Sequence, residues 1–552
     1  MPEYLPPGVA REDFQSALAE IRSIVGAAWV FSDPEGDLQP YLDHMSAVQP
    51  ESRMPSAAIS AASVAEVQGV LQVANKYKLP LWTYGNGKNF AYGGPAPKQA
   101  GYLVLDLKRM NRILEVNEES GYCLVEPGVS YFQLYQHLQE KGYQLWIDCA
   151  APGWGGVIGN ALEHGAGYTP YADHFLFSCG MEILLADGQL LRTGMGAMPG
   201  NNSWQLFKYG FGPYVDGMFS QGNFGIVTKM GFWLMPKPPA YKPFMVTYQN
   251  EEDIKPLMDI LRPLKMNMII QNGAVIEHIS YSASVQRLRK DLWDKPGIIP
   301  DSRWREVAKE MDLGMWNLYG ALYGLPENVE MTWQMVQHEL TRIPGAKVYL
   351  HGDRPADDAG WNYREKLMRG EPNMTEFNLV NWDGGGHLNF TPMAAMTGKN
   401  AWDMFTLFKD LLNRHGFDMI CEEVAMFRTM ITLVMVMFDP RDEDARKRAD
   451  ACSRELVAIA KAHGYGELKA NLTYMDIIAD MYDGQDGALR KVNQRIKDAH
   501  EHDRRVDRQP RGQLSAPVGL DRGQQNSEQH QCGAADQGRD HHVQRFVQRL
   551  DP

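Results

Sequence analysis

The sequence predicts an α+β fold that is divided into two domains. Its 552 residues exceed what one hydrophobic core usually serves, because single cores stop growing at about 250 to 300 residues. Residues 55–145 alternate short apolar strands with amphipathic helices, and the proline-rich residues 235–239 are followed by longer amphipathic segments. The change of pattern at these prolines predicts the boundary between the domains.

The first domain begins with a strand, a helix and a second strand. Residues 56–60 are short and apolar, and Ser63 with Glu66 forms the pattern of a capping box. The helix that follows is predicted from an apolar stripe on one face, formed by Val67, Val70, Leu71 and Ala74. Residues 79–84 form the next strand and lead directly into the glycine-rich segment GNGKNFAYGG, residues 85–94.

This glycine-rich segment is the first indication of nucleotide binding. Glycines at the end of a strand leave backbone N–H groups free to approach a diphosphate, because no side chain holds the anion away. Such segments are also common as simple turns. The segment alone therefore leaves both interpretations open.

Further short elements complete the first domain. The predicted elements are strands at residues 102–107, 113–116 and 122–125 and a helix at residues 131–141. Residues 146–228 are rich in glycine, aromatic and small polar residues, a composition that suits loops around an extended ligand. Within them, Asp187 and Gly188 predict a hairpin turn between two apolar runs, for which a structural role is sufficient.

The second domain is predicted to span residues 240–466 as an α+β lobe whose helices mainly serve packing. Its predicted helices cover residues 253–264, 327–340, 401–415 and 443–463. Residues 500–552 are rich in Arg, Gln, His and Asp and poor in apolar residues, which predicts a polar, disordered tail. The histidines of this tail lack regular ligand spacing, and no metal site is predicted.

Charge and cysteine content argue against several classes of function. The formal net charge of −13 disfavours a nucleic-acid partner, because phosphate binding needs clustered Lys and Arg. Six scattered cysteines form neither a C-x-x-C pair nor a C-x-x-C-H motif, so no zinc site, disulfide framework or covalently attached haem is predicted on this chain. The N-terminal segment does not resemble a signal peptide, and no run of about 18 apolar residues predicts a membrane span. We expect a cytoplasmic protein.

The most specific signals are five segments: GNGKNFAYGG, LVEPGVSY, IGNALEHGAGYTPYADH, LADGQLLRTGMGAMPG and YGFGPYVDGMFSQGNFGIVTKMGFWLMPKPP. Together they resemble the family of vanillyl-alcohol oxidase and the flavoprotein subunit of p-cresol methylhydroxylase, over residues 54–499. The resemblance implies a two-part FAD-binding domain, residues 1–239 and 467–499, with an α+β cap domain, residues 240–466, inserted between its parts.

The resemblance also implies which residues contact FAD. The diphosphate is expected along Gly85, Asn86, Gly87, Lys88 and Asn89, with Lys88 at a position where relatives often have Arg. The flavin is expected to be lined by Glu163, Gly167, Tyr168, Thr169 and Pro170, and the adenine side by Gly225 and Ile226. Without the family, each of these residues is ordinary loop material.

The family often attaches its flavin covalently, through Tyr in p-cresol methylhydroxylase and through His in vanillyl-alcohol oxidase. In the segment EFNLVNWDGGGHLNF, Val380 occupies the position that resembles the Tyr anchor and has no nucleophile, whereas His387 occupies the histidyl position. An imidazole can add to the 8-methyl carbon of flavin, and the link raises the redox potential and retains the cofactor. We therefore expect FAD to be attached through His387; the alternative is a structural histidine.

The activity that the resemblance implies is hydride removal from a para-substituted phenol, through a p-quinone methide that is hydrated or oxidised further. Tyr92 matches a phenolate-binding Tyr, but Leu468 and Lys469 stand in the positions of a Tyr–Arg pair. Lys469 supplies a charge without the bidentate fork of Arg, and Leu468 donates no hydrogen bond. The substrate is therefore either a phenol held by Tyr92 and Lys469 or a bulkier, more apolar, non-phenolic molecule.

Two charged residues and the electron acceptor leave alternatives open. Arg364 and Glu376 match charged positions near the flavin and are candidates for catalysis, or they pair with each other structurally. Ala151 replaces an active-site Asp of vanillyl-alcohol oxidase, which favours a dehydrogenase that reduces a cytochrome c subunit over an oxidase that uses oxygen. A flavin-binding protein without turnover is a third alternative. The expected partners are a small aromatic substrate, a cytochrome c subunit, in which case a periplasmic location is open, and further copies of the chain in a homo-oligomer.

Overall fold

Helices and strands are mixed along residues 4–500, the part of the chain that the computed structural model describes. The strands are β1 Val30–Phe31, β2 Ala57–Ser60, β3 Leu81–Tyr84, β4 Leu103–Asp106, β5 Ile113–Asn117, β6 Tyr122–Val125, β7 Leu145–Trp146, β8 Ser178–Leu184, β9 Leu190–Arg192, β10 Ile226–Trp233, β11 Met235–Pro236, β12 Ala240–Tyr248, β13 Ala274–His278, β14 Trp316–Gly324, β15 Lys347–Leu350, β16 Gly386–Phe390, β17 Pro392–Ala395, β18 Ile420–Ala425, β19 Thr429–Phe438 and β20 Gly466–Glu467. The α-helices are α1 Arg11–Val25, α2 Val64–Tyr77, α3 Tyr131–Lys141, α4 Val157–Leu162, α5 Ile254–Met266, α6 Ile279–Gln286, α7 Arg289–Leu292, α8 Asp301–Glu310, α9 Pro326–Leu340, α10 Ala359–Met368, α11 Gly398–Arg414, α12 Glu443–His463, α13 Met475–Ala479 and α14 Gly484–His500. The predicted α+β class is confirmed.

The first sheet has the strand order β1-β2-β4-β3, and its strands β2, β4 and β3 are parallel. Helix α2 connects β2 to β3, which lie on either side of β4, and parallel strands require such a crossover connection. Ser63 caps α2 by accepting the N–H of Glu66 at 3.2 Å. The Glu66 carboxylate accepts the N–H of Ala62 instead of that of Ser63, so the predicted capping box is displaced by one residue. One core holds α1, α2 and this sheet together.

The second sheet is antiparallel with the strand order β5-β6-β10-β8-β9. The predicted hairpin joins β8 to β9, and the N–H of Gly188 donates to the carbonyl of Leu185 at 2.9 Å. Helix α3 begins with a capping box formed by Ser130 and Gln133. Strands β7 and β11 form a separate antiparallel pair.

The third large sheet has the order β15-β12-β14-β13-β18-β19-β17-β20, and β16 also pairs with β19. It begins at Ala240, where the sequence predicts the second domain, and ends at Glu467. Apolar faces of α5, α9, α11 and α12 contribute to its core, through residues such as Leu257, Val336, Phe408 and Leu456. The domain boundaries themselves stay a prediction.

Most predicted elements lie close to the observed ones. The bounds predicted for α3 and α12 are those observed. Strand β3 begins two residues later than predicted, and β4 is one residue shorter than predicted at each end. Helix α1 was not predicted, although its residues Phe14 and Ile21 are buried.

Three predictions concern features beyond these elements. The polar tail from residue 501 onward lies outside the described residues. Within residues 4–500, no helix combines the length and the hydropathy that a membrane span needs. In the same range, no group of three or more His, Cys, Asp or Glu side chains is placed to bind a metal ion.

Candidate active site

Two adjoining cavities lie beside the glycine-rich segment that follows β3. The first is lined by that segment, by the N-terminal end of α4 and by the start of β10. The second is lined by the same segment, by the loops before and after α4, and by β16, β18 and β19. The cavities meet at residues that line both, namely Lys88, Asn89, Gly155, Asn160 and Lys469.

The glycine-rich segment brings its backbone close to the first cavity. A Cβ at Gly85 would overlap a backbone carbonyl oxygen, and Gly87 has a φ of 70°, so both positions require glycine. The Nδ2 of Asn86 donates to the carbonyl of Trp154 at 2.9 Å, which fixes the segment. The exposed Lys88 adds a positive charge. Bare backbone and one cation fit the diphosphate of FAD.

Tyr92 and Lys469 meet in the second cavity because their loops are tied together. The Nδ2 of Asn471 donates to the carbonyl of Ala91 at 2.9 Å, and the N–H of Leu472 donates to the carbonyl of Tyr92 at 3.2 Å. The Nζ of Lys469 lies 5.6 Å from the ring centroid of Tyr92. Burial raises the pKa of Tyr92 and lowers the pKa of Lys469 to about 8. Lys469 therefore carries its charge at neutral pH and loses it in mildly alkaline solution.

One face of the third large sheet forms a wall of the second cavity. Alternate side chains of a strand point to the same face. The lining residues follow this alternation and are His387 and Asn389 of β16, Glu422 and Val424 of β18, and Ile431, Leu433 and Met435 of β19. Register places Glu422 opposite Leu433 and Asn389 opposite Met435. The wall is apolar apart from His387, Asn389 and Glu422.

His387 is the buried nitrogen base of this wall. Neither Nδ1 nor Nε2 makes a hydrogen bond of normal geometry within residues 4–500. Burial lowers the pKa of His387 to about 4, against a smaller opposing contribution from Asn389. The imidazole is therefore neutral at pH 7 and keeps a free lone pair. Val380 is buried and lies outside the residues that line the two cavities.

Arg364 lies among three buried carboxyl groups beside the second cavity. Its Nε lies 2.7 Å from Glu277, its Nη2 lies 2.5 Å from Glu422, and its Nη1 lies 3.7 Å from Glu376. The hydroxyl of Tyr281 donates to Glu376. Burial raises the pKa of Glu422 to about 8 and also raises that of Glu376, although Arg364 opposes both shifts. Because one guanidinium faces three carboxyl groups, at least one of them holds a proton near neutral pH.

The predicted site residues are distributed over the two cavities as follows. The first cavity is lined by Gly85, Asn86, Gly87, Lys88, Asn89, Glu163, Gly225, Ile226 and Lys469. The second is lined by Lys88, Asn89, Tyr92, Gly167, Tyr168, Glu376, His387 and Lys469. Thr169 and Pro170 follow Tyr168 in the chain but do not line either cavity, and Arg364 lies behind Glu376 and Glu422.

Sequence reasoning missed several cavity residues. Glu422 lines the second cavity from an otherwise apolar strand, and an acid within the run ICEEVA was the signal that could have found it. Asn389 and Thr391 line the same cavity from the segment that follows His387. Asn160 lines both cavities, and its segment IGNALEHG indicates only the resemblance to the family, without a role for this residue.

Comparisons with known proteins agree with this site. Residues 55–194 match the model of a family described as FAD binding domain. The 4-cresol dehydrogenase [hydroxylating] flavoprotein subunit of Pseudomonas putida is 40% identical over 498 residues, which cover 90% of this chain and 95% of that relative.

Solved structures give the same result for the whole fold. The crystal structure of p-cresol methylhydroxylase with substrate bound has a TM-score of 0.87 and 39% identity, and the match covers 90% of this chain and 96% of that one. The 4-ethylphenol oxidase from Gulosibacter chungangensis, in complex with isoeugenol, has a TM-score of 0.90 and 34% identity, covering 92% and 99% of the two chains. The expected cofactor, FAD, is confirmed. The chain belongs to the vanillyl-alcohol oxidase and p-cresol methylhydroxylase family and is an FAD-linked oxidoreductase.

Proposed function

We propose that this chain removes a hydride from the benzylic carbon of a para-substituted phenol or a related aromatic alcohol. The names of two relatives, 4-cresol dehydrogenase and 4-ethylphenol oxidase, support this substrate class. The observation that carries the proposal is the ammonium group of the half-buried Lys469, which lies beside Tyr92 and pairs with no carboxylate among residues 4–500. A phenolate oxygen would supply the missing negative charge.

FAD would be held along both cavities. Its diphosphate would lie on Gly85, Asn86, Gly87, Lys88 and Asn89, with Gly225 and Ile226 at the adenine side. Its flavin would be lined by Glu163, Gly167 and Tyr168, whereas Thr169 and Pro170, which line neither cavity, would lie behind Tyr168. When bound, FAD supplies the two-electron acceptor for the hydride.

Tyr92 and Lys469 would prepare the substrate for hydride loss. The charge of Lys469 stabilises the phenolate oxygen in a cavity whose other walls are largely apolar. Tyr92 keeps its hydroxyl hydrogen, because burial raises its pKa, and can donate it to the same oxygen. The benzylic hydrogen then leaves with its electron pair. The phenolate becomes a neutral p-quinone methide, since its negative charge is used to form the C=O bond.

Glu376 and Glu422 would manage the proton of the second step. Water adds to the methide carbon, the ring returns to a phenolate, and the water releases one proton. The two carboxyl groups line the cavity and can accept that proton when ionised. Burial raises the pKa of both groups, and Arg364 opposes the shift, so Arg364 acts by setting their ionised share and their position.

We also propose that FAD is attached covalently through His387. Two observations support this: the imidazole is neutral at pH 7, and neither of its nitrogens makes a hydrogen bond of normal geometry within residues 4–500. His387 lines the second cavity, whereas Val380, in the position of the tyrosyl anchor, has no nucleophile. The link would retain the cofactor during turnover.

The proposed electron acceptor is a cytochrome c subunit. Ala151, at the position of the Asp in vanillyl-alcohol oxidase, lines the second cavity and supports a dehydrogenase. The similarity to 4-ethylphenol oxidase favours the second candidate, an oxidase that uses oxygen. Anaerobically reduced enzyme can be mixed with oxidised cytochrome c or with oxygenated buffer. Reoxidation by cytochrome alone at the turnover rate supports the dehydrogenase, and equally fast reoxidation by oxygen contradicts it.

Location and assembly also remain proposals. We propose a homo-oligomer, because Phe207, Tyr209, Phe211 and Tyr214 are exposed within one segment of the surface. A cytoplasmic location is proposed, with the periplasm open for a complex with a cytochrome c subunit. Sedimentation of the purified chain tests the first proposal, and a monomer at micromolar concentration would contradict it.

A panel of substrates tests the proposed substrate class. Anaerobic flavin reduction can be followed with 4-alkylphenols, vanillyl alcohol and non-phenolic benzylic alcohols. We expect reduction by the phenols alone. Reduction by the non-phenolic alcohols favours a bulkier, non-phenolic substrate, and no reduction by any compound favours a flavin-binding protein without turnover.

A further inference from the structure

A buried chain of hydrogen bonds leads from the loop before α4 to both cavities. The Nε2 of His174 lies 2.7 Å from Oδ1 of Asp148, and its Nδ1 lies 2.5 Å from Oδ1 of Asn160. The second carboxylate oxygen of Asp148 accepts the N–H of Thr169 at 2.7 Å and also its hydroxyl. The side chains of Asp148 and His174 are each 5% exposed. Asn160, at the end of this chain, lines both cavities.

Two glycines leave room for the side chains of this hydrogen-bonded chain. A Cβ at Gly167 would overlap the carboxylate of Asp148, and a Cβ at Gly165 would overlap the amide of Asn160. The N–H of Gly165 also donates to the backbone carbonyl of Asn160 at 2.8 Å. The backbone of the loop after α4 therefore packs directly against the side chains of Asp148 and Asn160.

The hydrogen bonds decide which end of the Asn160 amide faces the cavities. Oδ1 of Asn160 can only accept, so the Nδ1 of His174 carries a hydrogen and donates it to that oxygen, while Nε2 makes a hydrogen bond with the carboxyl group of Asp148. The hydroxyl of Tyr131, 3.1 Å from Nδ1, can share the hydrogen on Nδ1. His174 thus bridges Asn160 and Asp148 through its two ring nitrogens. The NH₂ group of Asn160 remains for the cavities, and its Nδ2 has no hydrogen-bond partner among residues 4–500.

We propose that Asp148 and His174 are positioning residues that hold the Asn160 amide as a fixed hydrogen-bond donor to the bound flavin. Two-electron reduction adds negative charge to the cofactor, and a donor that is already oriented stabilises that charge without reorganisation. This chain of hydrogen bonds thereby raises the redox potential of the bound FAD. The inference depends on FAD binding and is independent of the proposed substrate.

The midpoint potential of the bound FAD tests this role directly. Asn160→Leu removes the donor at similar volume, and we expect the equilibrium between reduced and oxidised flavin to shift about tenfold toward the oxidised form. That shift is ~30 mV for a two-electron couple. The decisive pair is His174→Asn and His174→Gln, because the Asn amide can replace Nδ1 and the Gln amide can replace Nε2. We expect His174→Asn to keep the potential and His174→Gln to lower it as Asn160→Leu does.

A purely structural role of His174 predicts a different pattern. Both His174 variants would then lose FAD or stability to the same extent, and their potentials would not differ in the direction given above. Equal potentials in the two variants, equal loss of FAD from both, or an unchanged potential in Asn160→Leu would each overturn the proposal. Flavin absorbance after gel filtration gives the FAD content of each variant, and circular dichroism gives its folding.

Discussion

At the level of single residues, the properties of the second cavity depend on an ammonium group that lacks a carboxylate partner in the described chain. Burial disfavours the charged form and lowers the pKa of Lys469 to about 8. A phenol has a pKa of about 10, as Tyr does. In the proposed mechanism the reactive form combines protonated Lys469 with an ionised phenol. This form requires the phenol to lose its proton while Lys469 keeps its own. The pH dependence of the reaction should report both groups.

The first prediction concerns Lys469→Met. For the unmodified enzyme, kcat/KM on a 4-alkylphenol should rise up to about pH 8 and fall above about pH 10, because the product of protonated Lys469 and ionised phenol is largest between these values. In Lys469→Met the rise should continue to about pH 10 without a later fall. The rate at pH 8 should drop roughly 10- to 100-fold, the effect of ~1.5–3 kcal/mol for one charged hydrogen bond.

Steady-state kinetics between pH 6 and 11 measure these profiles. Leu468→Met is a matched control, because it changes a neighbouring cavity residue and leaves the charge in place. If kcat/KM rose and fell at the same pH values in the unmodified enzyme and in Lys469→Met, the role proposed for the charge of Lys469 would be contradicted.

A second prediction concerns the neighbouring pair. Leu468→Tyr combined with Lys469→Arg introduces a hydroxyl donor and a bidentate cation, which bind a phenolate more tightly than one ammonium group does. We expect higher kcat/KM on small 4-alkylphenols. If the natural substrate is bulky and non-phenolic, the same change should instead impair the reaction by filling space. The ratio of kcat/KM after the double replacement to kcat/KM before it distinguishes these outcomes.

At the level of elements, strand β16 brings His387, the proposed cofactor anchor, and part of the wall of the second cavity onto one face. His387 and Asn389 are two residues apart, so both face the second cavity. Thr391 follows at the break between β16 and β17, where its N–H and its hydroxyl each donate to Glu467 at 2.7 Å. This contact ties β20, just before Lys469, to the strand that carries His387.

The third prediction is that holoprotein stays yellow after acid precipitation because His387 holds the flavin covalently. His387→Ala should release the flavin into the supernatant, where its absorbance is measured. Asn389→Ala, on the same face of the strand, is the control and should leave the colour with the precipitate. Retention of the colour by His387→Ala would show that another residue carries the link.

A fourth prediction follows from the contact of Glu467. Burial raises its pKa from 4.5 to about 8, outweighing the hydrogen bonds from Thr391. The folded chain then binds more protons at this group than the unfolded chain between pH 4.5 and 8. Its contribution to stability is present in full below pH 4.5 and is lost as pH rises through 8.

Glu467→Gln cannot ionise, and the amide oxygen still accepts from Thr391. We expect the stability of Glu467→Gln, relative to the unmodified chain, to increase between pH 5 and pH 9. Urea midpoints at pH 5, 7 and 9 measure the difference. A constant difference across this range would mean that Glu467 does not change its protonation in the folded protein.

The elements and the site differ in how far the sequence could predict them. Caps at Ser63 and Ser130 and the apolar stripes of the helices are local signals, so helix bounds were predicted well. The glycine-rich segment is likewise a local signal, whereas the role expected for Tyr92 rests on the resemblance to the family. Glu422, Asn160 and Thr391 depend on partners that strand register and loop packing supply. The acid within the apolar run ICEEVA marks Glu422 as unusual, but no local pattern marks the partners of these three residues.

For the whole molecule, the second cavity depends on three distant parts of the chain. The glycine-rich segment supplies Tyr92, the third large sheet supplies His387 and Glu422, and the segment after β20 supplies Lys469. The hydrogen bonds from Asn471 and Leu472 to the Tyr92 loop close this arrangement. In the proposed mechanism, a cavity assembled in this way holds Lys469 and a phenolate away from bulk water, where the attraction between the two charges is stronger than in water.

The most direct test of a phenolate mechanism compares a 4-alkylphenol with its methyl ether. The two compounds have nearly the same shape, but the ether cannot ionise. Bound flavin in the anaerobic, unmodified enzyme is followed by its absorbance in a stopped-flow instrument. We predict rapid loss of flavin absorbance with the phenol and no loss with the ether. Equal rates with both compounds would contradict the role of Lys469 and the formation of a quinone methide.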